Sequence, residues 1–112
     1  MIGETEERDN IVIRCGKLMI DTRCHMVTLN GRIINLFPKE FELLSLLARH
    51  PGWVYTKEEI YEVVYGSQTF VDINNIIFCL IYGLRKKLEP NPQQPRYIQN
   101  VRGVGYKFVK DS

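Results

Sequence analysis

The sequence predicts an α+β domain in which a four-stranded antiparallel sheet comes first, three helices follow, and a β-hairpin ends the fold. Three observations favour this order. Short runs of alternating apolar and polar residues occupy the first third of the chain, apolar residues recur at helical spacing through its middle, and a glycine-containing turn separates two further alternating runs near the C-terminus. The 112 residues hold no internal repeat or low-complexity tract, so we expect a single domain.

Composition indicates a small globular protein. Hydrophobic residues make up 45% and charged residues 25% of the chain, which is ordinary for a soluble domain. No apolar run approaches the ~20 residues of a membrane span, and we expect no membrane association. An odd number of cysteines without a Cys-x-x-Cys pair favours a reduced, cytoplasmic setting. We expect no cofactor and no metal, because ligand-pair spacing is lacking among the candidate donors Cys15, Cys24, His25 and His50.

The first third of the chain predicts an acidic tail and then four strands. Residues 1–10 are polar and are interpreted as a flexible tail or linker end, residues 11–109 as the folded domain, and residues 110–112 as a C-terminal tail. Alternation between residues 11 and 36 predicts the strands. Asn30-Gly31 is a strong signal for a type I′ turn between the last two of them.

Two helices are predicted next. Pro38 suits a first helical turn, and Pro51-Gly52 ends that helix. Its wide apolar face consists of Phe41, Leu43, Leu44, Leu46, Leu47 and Ala48. A capping box of Thr56 and Glu59 begins the second helix, whose core residues are Ile60, Val63 and Val64. Tyr65 to Val71 is interpreted as a connecting loop.

The third helix and the hairpin carry the strongest pattern. One apolar helix face is predicted from the spacing of Ile77, Leu80, Ile81, Leu84 and Leu88. Asp72 or Asn74 can cap its N-terminus, and three prolines between residues 90 and 95 prevent its continuation. The runs 96–101 and 106–109 form the hairpin around the turn at residues 102–105, in which Tyr97 and Tyr106 either face the core or pair across the strands.

Charge is concentrated at this end of the chain. Residues 71–112 carry seven Lys/Arg against three Asp/Glu, a net charge of +4, whereas residues 1–70 carry −2. Such a distribution favours a polyanion as partner, although a basic helix end that is merely solvated gives the same pattern. A helix followed by a basic hairpin is the arrangement found in a winged helix.

Several segments resemble the DNA-binding effector domain of OmpR/PhoB-type bacterial response regulators, and the resemblance spans Ile11 to Val109. They are Leu36-Phe37-Pro38-Lys39-Glu40-Phe41, Pro51-Gly52-Trp53-Val54-Tyr55-Thr56, Leu84-Arg85-Lys86-Lys87-Leu88-Glu89-Pro90 and Val101-Arg102-Gly103-Val104-Gly105-Tyr106. The resemblance implies a winged helix-turn-helix that binds double-stranded DNA in a two-component phosphorelay. It also implies an RNA polymerase contact through the loop Tyr65–Val71 and tandem homodimers on direct repeats. Whether a receiver domain precedes this chain stays open.

Transferred position by position, the resemblance implies which residues contact DNA. Base readers of the family fall on Phe78, Cys79 and Gly83, and phosphate contacts on Asn75, Leu80, Tyr82 and Arg85. Arg102 matches the minor-groove arginine of the wing, and Asn100 stands where a threonine is frequent. We add Lys86, Arg96 and Lys107 as further basic contacts. Phe37 replaces the family's helix-capping threonine, at a cost of about 1 kcal/mol unless Asn35 or packing compensates.

The substitutions on the third helix leave two functions open. Without a mid-helix arginine we expect the domain alone to bind DNA weakly and with little sequence discrimination, through about four phosphates and with a salt slope near −3.6. The alternative is a winged helix whose apolar outward face contacts another protein. We expect no enzyme activity, because no nucleophile lies beside a base and Gly103 and Gly105 belong to a hairpin rather than to a nucleotide-binding loop.

Overall fold

A computed structural model describes residues 11–66 and 72–110. The predicted acidic tail at residues 1–10, residues 67–71 of the predicted connecting loop, and residues 111–112 lie outside the described residues. The strands are β1 (Val12–Cys15), β2 (Leu18–Asp21), β3 (Met26–Leu29), β4 (Arg32–Ile34), β5 (Val54–Thr56), β6 (Ile98–Val101) and β7 (Gly105–Phe108). The helices are α1 (Pro38–Arg49), α2 (Lys57–Tyr65) and α3 (Ile73–Leu88).

The N-terminal sheet is an antiparallel meander with the strand order β1-β2-β3-β4, which confirms the predicted four strands. Leu18, Ile20 and Val27 are buried on its inner face. Asn30 and Gly31 have φ angles of 56° and 80°, and these two positive values are what a type I′ turn requires. The predicted turn residues therefore set the register of β3 against β4.

The C-terminal hairpin belongs to a three-stranded sheet with the order β5-β7-β6. The sequence analysis missed β5, because three residues between a turn and a capping box are too few to show an alternation. At Gly105, β7 lies so close to β5 that a Cβ atom there would overlap the carbonyl oxygen of Tyr55. The hairpin is thus fixed to the segment between α1 and α2.

The three helices enclose most of the core. Leu44 and Leu47 on α1 are buried beside Ile77, Ile81 and Leu84 on α3, and none of the five exposes more than 2% of its surface. Leu80, which was predicted for the same face, is only partly buried. The predicted core-facing orientation of Tyr97 and Tyr106 is confirmed, because both side chains are buried.

Two predictions about α2 were wrong. Val63 is 57% exposed, whereas Tyr61 is 5% exposed and takes the place in the core that we had given to Val63. With about 100° per residue, positions 60, 61 and 64 share one face and position 63 lies at its edge. The helix also continues through Tyr65 to a C-cap at Gly66, so the loop begins later than predicted.

The first turn of α1 is held by an acidic side chain. Phe37 occupies the N-cap position without a side-chain hydrogen bond, but its backbone N–H donates to Glu40 Oε1 at 2.8 Å. Lys87 Nζ on α3 donates to the same oxygen at 2.7 Å and lies 3.6 Å from the centroid of the Phe37 ring. Glu40 therefore supplies its own half of a capping box, while the acceptor that a threonine hydroxyl would offer to the N–H of Glu40 is absent at Phe37.

Candidate nucleic-acid interface

The helix α3 presents one face to solvent, opposite the face buried against α1 and α2. Asp72 caps the helix by accepting from the N–H of Asn75 at 3.2 Å, which confirms the first of the two predicted caps. The outward face of α3 consists of the exposed side chains of Asn75, Phe78, Cys79, Tyr82 and Lys86. Its aromatic residues are conspicuous, since Phe78 is 62% and Tyr82 is 56% exposed.

The exposed aromatic rings form a row that ends in a positive charge. Phe78 and Tyr82 stack with ring centroids 6.4 Å apart and planes inclined by 15°. Lys86 Nζ lies 5.4 Å from the centroid of the Tyr82 ring, within the range of a cation–π interaction. These contacts restrict the three side chains before any partner arrives.

Asn75 and Cys79 lie one helical turn apart near the start of α3. Cys79 Sγ donates weakly to Asn75 Oδ1 at 3.9 Å, and both side chains are exposed. The amide of Asn75 consequently keeps its N–H groups and one acceptor lone pair for a partner.

Arg85 joins α3 to the hairpin. Its Nε and Nη2 atoms donate to the carbonyl oxygen of Ile98 at 3.2 and 2.8 Å, and Nη2 also donates to Asn100 Oδ1 at 2.6 Å. The guanidinium carbon lies 5.8 Å from the centroid of the Tyr106 ring. Burial lowers the pKa of Arg85, with Tyr106 and Glu89 acting in the opposite direction, and the guanidinium remains charged throughout the physiological range.

A second link between α3 and the hairpin was missed by the sequence analysis. The Glu89 side chain is buried, and its carboxylate accepts from the backbone N–H groups of Arg96, Tyr97 and Ile98 at distances between 2.6 and 3.2 Å. An acidic residue directly after a helix opposes the helix dipole. That conflict was the one signal in the sequence that could have indicated a structural role for Glu89.

Arg102 lies at the exposed tip of the hairpin. The turn closes through a hydrogen bond of 2.9 Å from the N–H of Val104 to the carbonyl oxygen of Val101. Between this tip, the start of α2 and the start of α3 runs a cleft whose lining includes Lys57, Asn74, Asn100 and Arg102. Glu58 lines the cleft as well, so Lys57 and Arg102 give it a net positive charge beside Asn74 at the start of α3.

Three of the predicted site residues lie elsewhere. Gly83 faces α1, since a Cβ atom built on it would lie 2.7 Å from Glu40 Oε2. Arg96 is exposed at the start of the hairpin, in a region that it shares with Lys17 and Asn30 of the N-terminal sheet. Lys107 pairs across the sheet with Gln99 and alternates with the buried Tyr106 and Phe108, so its side chain points away from α3.

The arrangement of the helices and the hairpin defines the class of protein. Three helices, a basic hairpin anchored to the third of them, and an exposed outer face on that helix make a winged helix. Within residues 11–66 and 72–110, no cluster of His, Cys, Asp and Glu has the arrangement of a metal site. No helix in that part of the chain is long and apolar enough to cross a membrane.

Comparison with known proteins identifies the family. Residues 31–108 match the family model described as "Transcriptional regulatory protein, C terminal". The regulatory protein VanR of Enterococcus faecium is 34% identical over 108 residues, covering 96% of this chain and 46% of VanR. The DNA-binding response regulator MtrA of Mycobacterium tuberculosis strain H37Rv is 42% identical over 88 residues, covering 79% of this chain and 38% of MtrA.

Comparison with solved structures indicates the same family. The response regulator DrrB of Thermotoga maritima, described as an OmpR/PhoB homologue, has a TM-score of 0.84 and 35% identity, covering 96% of this chain and 49% of DrrB. The DNA-binding domain of Klebsiella pneumoniae RstA, solved in complex with the RstA box, has a TM-score of 0.79 and 31% identity, covering 88% of this chain and 96% of that domain.

The chain belongs to the C-terminal domains of OmpR/PhoB-type transcriptional regulatory proteins. The predicted fold and the predicted resemblance are both confirmed. The family is one of transcription regulators and not of enzymes. The chain spans less than half the length of the curated relatives it matches.

Proposed function

We propose that this chain binds double-stranded DNA as the effector domain of a transcriptional regulator, with α3 in the major groove and the hairpin at the minor groove or the phosphate backbone. The observation that carries the proposal is the exposed face of α3, which stands beside the basic hairpin tip in the described residues. The match to a family of DNA-binding response regulators supports it, as does the complex of the similar RstA domain with its DNA box.

The residues proposed to contact DNA fall into two groups. Asn75, Phe78 and Cys79 face the bases, whereas the phosphates are contacted by Tyr82, Lys86, Lys57 and Arg102. Arg85 donates three hydrogen bonds within the protein. Its proposed role toward DNA is therefore to hold the hairpin in place and to offer its remaining N–H donors. Gly83, Arg96 and Lys107 contribute less than the sequence predicts.

The wider setting belongs to the same proposal. A two-component regulator acts in the cytoplasm, and the relatives named as response regulators support that location for this chain. We infer that residues 11–109 form the folded domain. An RNA polymerase contact near Tyr65–Val71 and tandem homodimers on direct repeats follow from the family resemblance alone.

A titration of fluorescein-labelled random duplex DNA with the 112-residue chain tests the proposal. We expect Arg102→Ala to weaken binding by about 1–3 kcal/mol in a folded protein, because Arg102 is the exposed cation of the hairpin tip. Arg14→Ala is the matched control, since Arg14 is an exposed arginine on β1. Equal affinity of both variants and the parent protein would remove the hairpin from the interface.

A second function is supported by one observation. The stacked and exposed rings of Phe78 and Tyr82 are an apolar surface that a partner protein can cover. Absence of DNA binding at ~20 mM salt, where electrostatic attraction is barely screened, would favour this alternative. The same titration therefore distinguishes the two.

A further inference from the structure

The groove-facing part of α3 carries no charge at all. Residues 73–84 contain no Asp, Glu, Lys or Arg, and the basic residues of the helix are confined to its last turn. Two of those three basic residues are engaged inside the protein, Arg85 with the hairpin and Lys87 with Glu40. The side chains available to meet base edges are therefore an amide, a thiol and two aromatic rings.

These side chains match one kind of base pair. Guanine shows two acceptors in the major groove and is read by Arg or Lys, which the first three turns of α3 lack. Adenine shows an acceptor beside a donor, which an Asn amide complements, and thymine shows a methyl group, which apolar side chains contact. Asn75 supplies the amide, while Phe78 and Cys79 supply the apolar surface.

We propose that the outward face of α3 selects A·T base pairs, with Asn75 hydrogen-bonding adenine and Phe78 and Cys79 packing on thymine methyl groups. The inference rests on the proposed DNA-binding function and names its preferred target. Cys79 Sγ lies 3.9 Å from Asn75 Oδ1, so the adenine reader and the methyl reader are neighbours on the helix surface. Four residues at a rise of 1.5 Å separate the two along α3 by about 6 Å, so both reach the same base pair or neighbouring ones.

The row of aromatic rings supports the proposed contact of this face with A·T base pairs. Stacking on Tyr82 restrains the Phe78 ring, and Lys86 on the other side of Tyr82 places a cation at the end of the row. A ring that is already fixed loses less side-chain entropy when it meets a methyl group. The cation at the end of the row and the Arg102 tip suit a polyanionic partner rather than an apolar one.

Four alternating copolymer duplexes of equal length separate the possible readouts at low salt. Poly(dA-dT) carries the methyl groups, poly(dA-dU) lacks them, and poly(dG-dC) offers the guanine edge. Poly(dI-dC) keeps the G·C pattern in the major groove, but its minor groove resembles that of A·T because inosine lacks the 2-amino group. Comparing it with poly(dA-dT) assigns a preference to one groove.

We expect the 112-residue chain to bind poly(dA-dT) about fourfold more tightly than poly(dA-dU) for each buried methyl group. We expect it to bind both more tightly than poly(dG-dC) or poly(dI-dC), by at least about fivefold. Phe78→Ala should reduce the difference between thymine and uracil, and Asn75→Ala should reduce the preference over inosine. Val63→Ala, which truncates an exposed apolar side chain on α2, should change neither ratio.

Three results would overturn the inference in distinguishable ways. Equal affinity for the thymine and uracil duplexes would exclude methyl contacts and leave the aromatic face to a protein partner. Equal affinity for poly(dI-dC) and poly(dA-dT) would place any preference in the minor groove. Failure to bind all four duplexes would overturn the proposed function itself.

Discussion

Two buried carboxylates hold the parts of this fold that surround α3. Glu40 satisfies the first turn of α1 and bonds to Lys87, and Glu89 gathers three backbone amides at the start of the hairpin. Their exposed fractions are 4% and 5%. A carboxylate buried to this degree is tolerated because charged hydrogen bonds replace its hydration.

Removal of the Glu89 carboxylate should be costly. Glu89→Ala leaves three backbone N–H groups without their acceptor, and each unsatisfied buried donor costs about 1–3 kcal/mol. Two of the three donors, the N–H groups of Tyr97 and Ile98, are buried, so we expect the free energy of unfolding to fall by at least about 2 kcal/mol in a urea titration. Glu62→Ala, an exposed glutamate on α2, should change it by less than about 0.5 kcal/mol. A similar small effect in both variants would contradict a structural role for Glu89.

Gly83 is constrained by Glu40 rather than by the backbone of α3. Replacement of a mid-helix glycine by alanine normally stabilises by about 1 kcal/mol. Here the new Cβ atom would lie 2.7 Å from Glu40 Oε2, so the carboxylate must move from a position in which it holds Phe37 and Lys87. We expect Gly83→Ala to destabilise the domain by about 0.5–2 kcal/mol.

A double-mutant cycle provides the control for Gly83→Ala. In a Glu40→Ala background the collision is absent, and Gly83→Ala should stabilise by about 1 kcal/mol, as propensity dictates. The same reasoning bears on Gly83→Arg, the substitution that would restore an arginine to α3. The arginine side chain must pass Glu40 before it reaches a base. If the effects of Gly83→Ala and Glu40→Ala on stability are additive, this obstacle is absent.

Residue-level features were the least predictable from the sequence. The N-cap Asp72 and the capping box of Thr56 and Glu59 follow local rules and were found. Glu89 reaches amides seven to nine residues away across a proline-rich loop, and no spacing rule encodes such a contact. The contact between Gly83 and Glu40 depends on how two helices cross, which a single helical pattern does not reveal.

At the scale of elements, α3 is the part that connects the core to the interface. Ile77, Ile81, Leu84 and Leu88 are buried on one side of it, and the exposed aromatic row lies on another. Periodicity identified the buried face correctly because apolar spacing along a helix is a direct record of which face is inside. It failed for β5, whose pairing with β7 brings together residues some fifty positions apart.

Truncation of Leu84 tests the packing of α3. Leu84 has no exposed surface, so Leu84→Ala removes buried methyl groups and leaves a cavity between helices. We expect a loss of about 2–5 kcal/mol in the free energy of unfolding. Val63→Ala removes apolar atoms from a residue that is 57% exposed and should cost less than about 0.5 kcal/mol. A melting temperature lowered by only a degree or two for Leu84→Ala would contradict the buried orientation.

The link between α3 and the hairpin makes the two elements one body. Arg85 contributes hydrogen bonds to Ile98 and Asn100, and Glu89 contributes those to the start of β6. The family resemblance implied a phosphate contact for Arg85, but could not indicate that Asn100 would accept from it. The distance and angle between the outward face of α3 and the Arg102 tip are consequently fixed by a side chain of α3 and by that of its C-cap residue, Glu89.

At the scale of the whole molecule, the N-terminal sheet precedes the helices in the chain, whereas the second sheet joins β5, between α1 and α2, to the C-terminal hairpin. Only this second sheet carries the tip that faces the proposed DNA. The charge that the sequence concentrates in residues 71–112 is divided by the fold. Lys87 is bonded to Glu40, Arg96 lies toward the N-terminal sheet, and Lys107 points away from α3. The number of cations that can meet one DNA backbone is therefore smaller than the composition suggests.

The salt dependence of binding measures that number. Lys57, Lys86 and Arg102 are grouped at the cleft and the outward face, and Arg85 keeps some donors beside them. If three or four of these cations each neutralise one phosphate, the logarithm of affinity should fall against the logarithm of salt concentration with a slope of about −2.7 to −3.6. We expect dissociation constants of about 10⁻⁴–10⁻⁶ M for random duplexes at physiological salt.

Two lysine variants test which cations contact DNA. Lys86→Ala should reduce the magnitude of the salt slope by about 0.9, whereas Lys107→Ala should leave the slope unchanged. Nanomolar binding by the isolated domain, or an equal change of slope in both lysine variants, would show that the fold does not sort the basic residues in this way.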